Sequence, residues 1–221
     1  MNSLLSAPIA PLLTRLFAEA EAADAPLRAQ LAQSSPEARA ELMKRAQTDY
    51  RGFYGMVKEL FLPISPETGR LLYLLVRSTK ARTVVEFGTS FGLSTICLAS
   101  AVRDNGGGRV IGSEFEVAKV ARAKENVALA GLSEFVEIRE GDAIDTLARD
   151  LPANVDFLLL DGAKVLYPAI LALLEPRLQP GSLIVADNAD HNPEFLARIR
   201  DPANGYLSLP FADDVELFMR S

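Results

Sequence analysis

The apolar run VDFLLL (155–160) is followed at once by Asp161 and, three residues on, by Lys164. A second run, SLIVAD (182–187), ends on Asp187 and is followed by Asn188. A buried strand has no structural need of a carboxylate at its exit, so these polar side chains are candidates for chemistry. Two carboxylates and an amide oxygen form a hard oxygen-donor set suited to Mg²⁺, with Mn²⁺ or Ca²⁺ as substitutes. Without a cation, Asp161 and Asp187 would repel one another in a partly buried site. Each residue alone has an ordinary explanation: an Asp can cap the next helix, Asn188 can turn the chain, and Lys164 can be a surface lysine. The spacing of the whole set points to a site.

Upstream, VVEFGTSFGLST (84–95) places Glu86, Gly88 and Gly92 after another β-rich run. Glycines there let the backbone turn tightly and approach a ligand. Position 90 is Ser, so the spacing is not G-x-G-x-x-G, which weakens a dinucleotide reading. The next run ends on Glu114, placed to accept hydrogen bonds from both ribose hydroxyls of an adenosine. The run after that is followed by EGDAIDTL (140–147), whose Asp142 is within reach of an adenine amino group. Glycine turn, Glu114 and Asp142 thus fall in order at three successive strand ends.

The elements that must position these residues are short and alternating. From residue 83, β-rich runs at 83–87, 109–113, 135–139, 155–160 and 182–187 are separated by helical stretches. Near-continuous apolar strands alternating with helices predict a parallel sheet covered on both faces. GYLSLPF (205–211) and VELFM (215–219) predict an antiparallel pair closing it. The expected fold is α/β: a doubly wound, mostly parallel seven-stranded sheet with an antiparallel C-terminal strand and an N-terminal α-helical extension. Residues 1–62 form that extension, expected to cap the site or dimerise, and 63–221 the ligand-binding domain. Within 1–62, residues 11–33 predict one or two amphipathic helices and 34–60 one more, started by Ser35 and Pro36; Ser65 and Pro66 start another.

The chain has 221 residues, 49% hydrophobic and 24% charged, with a formal net charge of −6. That charge gives no electrostatic reason to expect nucleic acid or an anionic membrane as partner. The single cysteine, Cys97, excludes an internal disulfide and reads as a core residue. No apolar run approaches the roughly 20 residues that span a bilayer. The first residues lack the basic region of a signal peptide, so a cytoplasmic protein is expected.

The segment from about 63 to 221 resembles the class I S-adenosylmethionine-dependent methyltransferases, with EFGTSFG (86–92) as the glycine motif. Within them it is similar to the metal-dependent O-methyltransferases, the group of catechol and caffeoyl-CoA O-methyltransferases, on residues 62–99 and on DGAK (161–164) and DN (187–188). The resemblance implies S-adenosylmethionine as cofactor and a hydroxyl of a small, aromatic molecule as acceptor. It implies Glu86 near the methionine amino group, Ser94 near its carboxylate and Glu114 on the ribose. Gly88, Thr89, Ser90, Gly92, Asp142, Ala143 and Asp161 complete the implied cofactor surroundings. Asp161, Asp187 and Asn188 are the implied metal ligands and Lys164 the implied general base. An ordinary lysine, with a pKa of about 10.4, is too basic for that task, so metal charge and partial desolvation are expected to lower it.

Two features depart from the catechol branch or add to it. Gly162 and Ala163 stand before Lys164 where that branch has a bulky aromatic, so the acceptor pocket is expected to be roomier or lined from elsewhere. His191 follows DNAD (187–190), either as a solvated loop residue or as an added acid–base group. Tyr50, Phe53, Tyr54, Met56 and Phe61 could wall an aromatic pocket or pack between helices. A homodimer is the default assembly. The rival readings are a metal-independent methyltransferase acting on N, C or carboxylate, and a non-catalytic cofactor-binding module. Methylation of nucleic-acid bases is disfavoured, because DGAK replaces an Asn/Asp-Pro-Pro-aromatic signature.

Overall fold

The computed structural model describes residues 2–211 and 214–221. Helix α1 (Ile9–Gln33) is one continuous helix that carries Pro26 within it. Its Ile9, Leu12, Leu13, Leu16 and Ala20 recur at helical spacing and are buried. The stretch 34–60, expected as one helix, is two: α2 (Pro36–Thr48) and α3 (Tyr50–Met56). The break is local chemistry. Asp49 leaves helical geometry, with φ −140° and ψ 64°, and its carboxylate accepts the Gly52 N–H at 3.0 Å, capping α3. Helix α4 (Pro66–Thr79) begins as the sequence predicts, the Ser65 hydroxyl accepting the Thr68 N–H at 2.9 Å.

The sheet follows: β1 (Thr83–Phe87), β2 (Arg109–Glu114), β3 (Val136–Glu140), β4 (Val155–Leu160), β5 (Leu178–Ala186), β6 (Tyr206–Phe211) and β7 (Val215–Arg220). Between them run α5 (Leu93–Asp104), α6 (Val117–Leu129), α7 (Ala143–Thr146), α8 (Tyr167–Leu174) and α9 (Pro193–Arg200). The seven strands lie in the order β3-β2-β1-β4-β5-β7-β6, with β7 antiparallel to both β5 and β6. The expected architecture is therefore present. β5 starts at Leu178, before the expected 182, and Asp187 stands just past its end.

Each central strand buries alternate residues on opposite faces. Phe157 and Leu159 of β4 join Val84, Val110 and Val185 in a core with α1, α4, α5 and α6. Leu158 and Leu160 join Val85, Ile111 and Ile184 in a second core with α8 and α9. This double burial is why these strands read as unbroken apolar runs. The chain order reverses between β1 and β4, so the connections that leave their C-terminal ends run to opposite faces and leave a crevice between them, the place where open α/β sheets bind ligands.

The N-terminal helices are tied to that crevice through the strap 57–65. Asp24 of α1 is 5% exposed, and its two oxygens accept the Phe61 N–H at 2.9 Å and the Leu62 N–H at 2.8 Å. Leu62 takes up a left-handed backbone, φ 45°, that would be costly without this hold. Phe61 stacks on Phe91 at 4.1 Å between ring centroids. Replacing Asp24 by Ala strands two part-buried N–H groups. Asp24→Ala is expected to lower the unfolding free energy by about 2–4 kcal/mol in urea titrations, and an unchanged midpoint would show that the strap does not depend on Asp24.

Candidate active site

β4 pairs with β5 so that Leu160 faces Ala186, and the next residues, Asp161 and Asp187, leave the sheet side by side. The ladder continues into them: Asp161 N–H donates to Phe87 O at 2.8 Å and Asp187 N–H to Leu160 O at 2.9 Å. The Tyr167 hydroxyl lies 2.8 Å from Leu160 O and 2.7 Å from Asp187 O, bracing both exits from below. Tyr167 is fully buried, and no spacing rule in the sequence announces it.

The two carboxylates are close enough to act on each other. Burial raises the Asp187 pKa to about 8, with the charge of Asp161 adding to it. Burial also raises Asp161, against the pull of Lys164. Lys164 Nζ sits 3.0 Å from Asp161 Oδ1 and 5.4 Å from the centre of the Tyr167 ring. Desolvation by itself does not suffice to lower the Lys164 amine. Burial does push the Lys164 amine down, but Tyr167, Asp161, Asp187 and Tyr54 outweigh it and hold its pKa well above the ordinary lysine value. In the chain by itself Lys164 is a buried ammonium paired with a carboxylate.

Asn188 has a left-handed backbone, φ 46°, a conformation asparagine tolerates. Its Nδ2 donates to Asp214 Oδ2 at 3.1 Å. Asp214, whose charge also acts on Asp161 and Asp187, was not anticipated from sequence. Among the described residues no group of three or more His, Cys, Asp or Glu is arranged to hold a metal ion. The set in question has two such carboxylates and an amide, and their mutual strain is the property a cation would relieve. His191 is exposed on the turn Ala189–His191, and no hydrogen bond or ion pair joins it to these carboxylates among the described residues.

A cleft with about 710 Å³ of open space runs from Asp161 and Gly162 across Gly88 and Ser90 to Glu114, Asp142 and Ala143. Gly88 has φ +98°, and a Cβ there would stand 2.5 Å from Asp161 O, so only glycine lets the turn lie against β4. Glu114 is 8% exposed and accepts the Ser90 N–H at 2.7 Å and the Glu116 N–H at 3.0 Å. Glu86, Thr89, Gly92 and Ser94 are buried and do not line the cleft. The Glu86 carboxylate accepts from Ser94 Oγ at 2.7 Å, Thr95 Oγ1 at 2.6 Å and Thr89 Oγ1 at 2.9 Å, and burial raises its pKa to about 7. The glycine turn is thus built around an interior carboxyl, and the Ser94 hydroxyl is already engaged.

Asp142 is also engaged. Its Oδ1 caps α7 through the Ile144 N–H at 2.9 Å, while Oδ2 accepts from Tyr50 at 2.7 Å and Arg51 at 2.6 Å. These bonds latch α3 over that end of the cleft. Tyr50, Tyr54 and Phe61 line it, as the aromatic-wall reading expects, whereas Phe53 and Met56 do not. Lys164, Asp161 and Glu114 are near enough for their charges to act on the Tyr54 hydroxyl. The small residue at Gly162 has a steric cause, because a Cβ there would clash with the Phe87 ring. Phe87 and Tyr54 line the space instead. Cys97 is a core residue as expected, its thiol pushed up to about 12 by burial.

Comparison with known proteins bears on this arrangement. Residues 85–189 match the family described as a methyltransferase domain. A catechol O-methyltransferase of Niastella koreensis is 36% identical over 130 residues, 58% of each chain. A catechol O-methyltransferase of Mycobacterium tuberculosis is 31% identical over 140 residues, 63% of each. The chain therefore aligns with about three-fifths of the length of these relatives. Among solved structures, an O-methyltransferase from Bacillus cereus in complex with S-adenosylhomocysteine superposes with a TM-score of 0.66 at 23% identity, covering 91% of this chain and 100% of that one. The O-methyltransferase TomG from Streptomyces achromogenes in complex with S-adenosylmethionine gives 0.63 at 25% identity, covering 82% and 90%. Residues 85–189 are thus similar to a methyltransferase domain, and the chain shares the fold of these solved O-methyltransferases.

Proposed function

We propose that the protein transfers a methyl group from S-adenosylmethionine to a hydroxyl of a small hydroxylated aromatic molecule, assisted by a divalent cation. One observation carries this reading: Asp161, which pairs with Lys164 and leaves the sheet beside Asp187, lines one end of the cleft whose other end is Glu114 and Asp142. The catechol O-methyltransferases among the relatives support the acceptor class.

S-adenosylmethionine, when bound, supplies an electrophilic methyl group on a sulfonium. Glu114 offers a buried carboxylate to ribose hydroxyls, and Gly88 lets the ligand lie against backbone. A divalent cation, Mg²⁺ by donor chemistry, would be held by Asp161, Asp187 and Asn188 and would offset their negative charge while acidifying a neighbouring hydroxyl. Lys164 Nζ then takes the hydroxyl proton of the acceptor, since burial favours its neutral form once the carboxylates no longer hold the ammonium. Phe87 and Tyr54 flank the acceptor ring and keep water from it, and Tyr167 fixes the spacing of the two strand exits. Holding two reactants in line is the larger part of the catalysis.

A metal-independent transfer is the second reading, favoured by the Lys164 ammonium already neutralising Asp161 and by the Asn188 amide turned to Asp214. Chelation separates the two. With a catechol acceptor, activity is expected to vanish on chelation and return with Mg²⁺, and full activity after chelation would remove the cation. Lys164→Met is expected to lower kcat on the order of a hundredfold or more while leaving S-adenosylhomocysteine binding unchanged. A kcat within a few fold of the unaltered protein would deny Lys164 that role.

The raised carboxyls make a stability prediction without turnover. Folded Asp187 keeps its proton up to about 8, whereas the unfolded chain releases it near 3.8, so stability is lost as pH rises through that window. Glu86, raised to about 7, acts in the same direction. Thermal melts of metal-free protein should fall from about pH 5 to about pH 8, less steeply in Asp187→Asn, and Mg²⁺ should raise the melting temperature at the upper end. No shift with Mg²⁺ would count against a site at these carboxylates.

A further inference from the structure

Lys119, near the start of α6, is 6% exposed yet lines the cleft. Its Nζ donates to Ser90 Oγ at 3.3 Å and lies 5.3 Å from the centre of the Phe91 ring. Among the described residues no carboxylate comes within 4.0 Å of this nitrogen, unlike Lys164, which has Asp161. A buried ammonium without an ion partner is unfavourable. Burial accordingly pushes its pKa down, with Glu114, Asp24, Glu116 and Asp161 pulling the other way from longer range. No carboxylate among the described residues is thus in direct contact with this ammonium, which lines the ligand space.

We propose that Lys119 is a cofactor-binding residue whose ammonium receives the carboxylate of the amino-acid end of S-adenosylmethionine. The assignment rests on the cofactor reading above and goes beyond it in naming a recognition residue. Within that reading the adenosine is taken by the Glu114 and Asp142 side of the cleft. The amino-acid end then lies along the glycine turn that contains Ser90, the residue to which Lys119 is bonded. The carboxylate is the only anionic group of this ligand. The Ser94 hydroxyl donates to Glu86, and Lys164 is paired with Asp161, so neither is free to meet it. The strap closes the same corner, because Ser90 Oγ also donates to Phe61 O at 2.7 Å. Lys119 is thus held in place from two sides before any ligand enters.

The test compares two ligands by calorimetry: S-adenosylhomocysteine, and 5′-methylthioadenosine, which has the same adenosine and thioether but no amino-acid carboxylate. Lys119→Met is expected to weaken S-adenosylhomocysteine binding by about tenfold or more, the loss of one charge-assisted contact. Binding of 5′-methylthioadenosine should stay within about twofold, which also shows that the variant is folded. Lys119→Arg should recover most of the lost affinity. An equal loss for both ligands, or no loss for either, overturns the assignment while the cofactor reading stands. If the unaltered protein binds neither ligand, the cofactor reading falls and this proposal falls with it.

Discussion

The register of β4 against β5 is the constraint on which the site depends. Because Leu160 pairs with Ala186, the residues that follow must emerge together, whatever their chemistry. A slip of one residue would draw Asp161 or Asp187 into the sheet and exchange side chains between the two cores. The alternation of β4 into two different cores makes such a slip costly on both faces at once. Tyr167 adds a local brace, placing one hydroxyl against a carbonyl from each strand exit.

Held that close, two carboxylates have few options. They can share a proton, pair with a cation from the chain, or bind one from solution. The structure uses the first two: Asp187 is pushed towards its protonated form, and Asp161 pairs with Lys164. The strain left in Asp187 is a feature a fold selected only for stability would avoid, and such clusters are commoner at functional sites. Elsewhere the chain spends its polar groups differently. Glu86 is surrounded by three hydroxyls, Asp24 by two backbone N–H groups, and Asp142 by a cap, a phenol and a guanidinium. These are satisfied groups that shape the cleft walls. Among the described residues, none of these carboxylates lies within 4.0 Å of the Lys119 ammonium.

The N-terminal helices are part of this shaping. α1 buries its apolar stripe in the same core as α4, α5 and α6, and through Asp24 it fixes the strap beside the glycine turn. α3 is fastened to Asp142 at the opposite end. Tyr50 and Tyr54, which line the cleft, come from α3, a segment whose pattern allows either an aromatic wall or packing between helices. Tyr54 reaches the cleft while Phe53, its sequence neighbour, meets it edge-on at 5.2 Å.

The sequence by itself determined the sheet, most of its helices and the residue types at its strand exits. Strands buried on both faces must be apolar throughout, helix starts need Ser and Pro caps, and a carboxylate after such a strand has no packing role, so all three are written in short stretches of chain. The break at Asp49 was written there too, in an Asp able to cap the helix that follows, although helical periodicity on both sides concealed it. What the tertiary structure alone decided were the states and partners of those residues: Lys164 held charged, Ser94 turned to Glu86, Asp142 occupied by Tyr50 and Arg51, Lys119 buried with no ion partner among the described residues, and Tyr167 and Asp214 brought to the exits. The reason is physical. Burial and charge at a side chain are set by groups distant in sequence, such as Tyr50 and Asp142, 92 positions apart, and no local pattern records which distant group arrives.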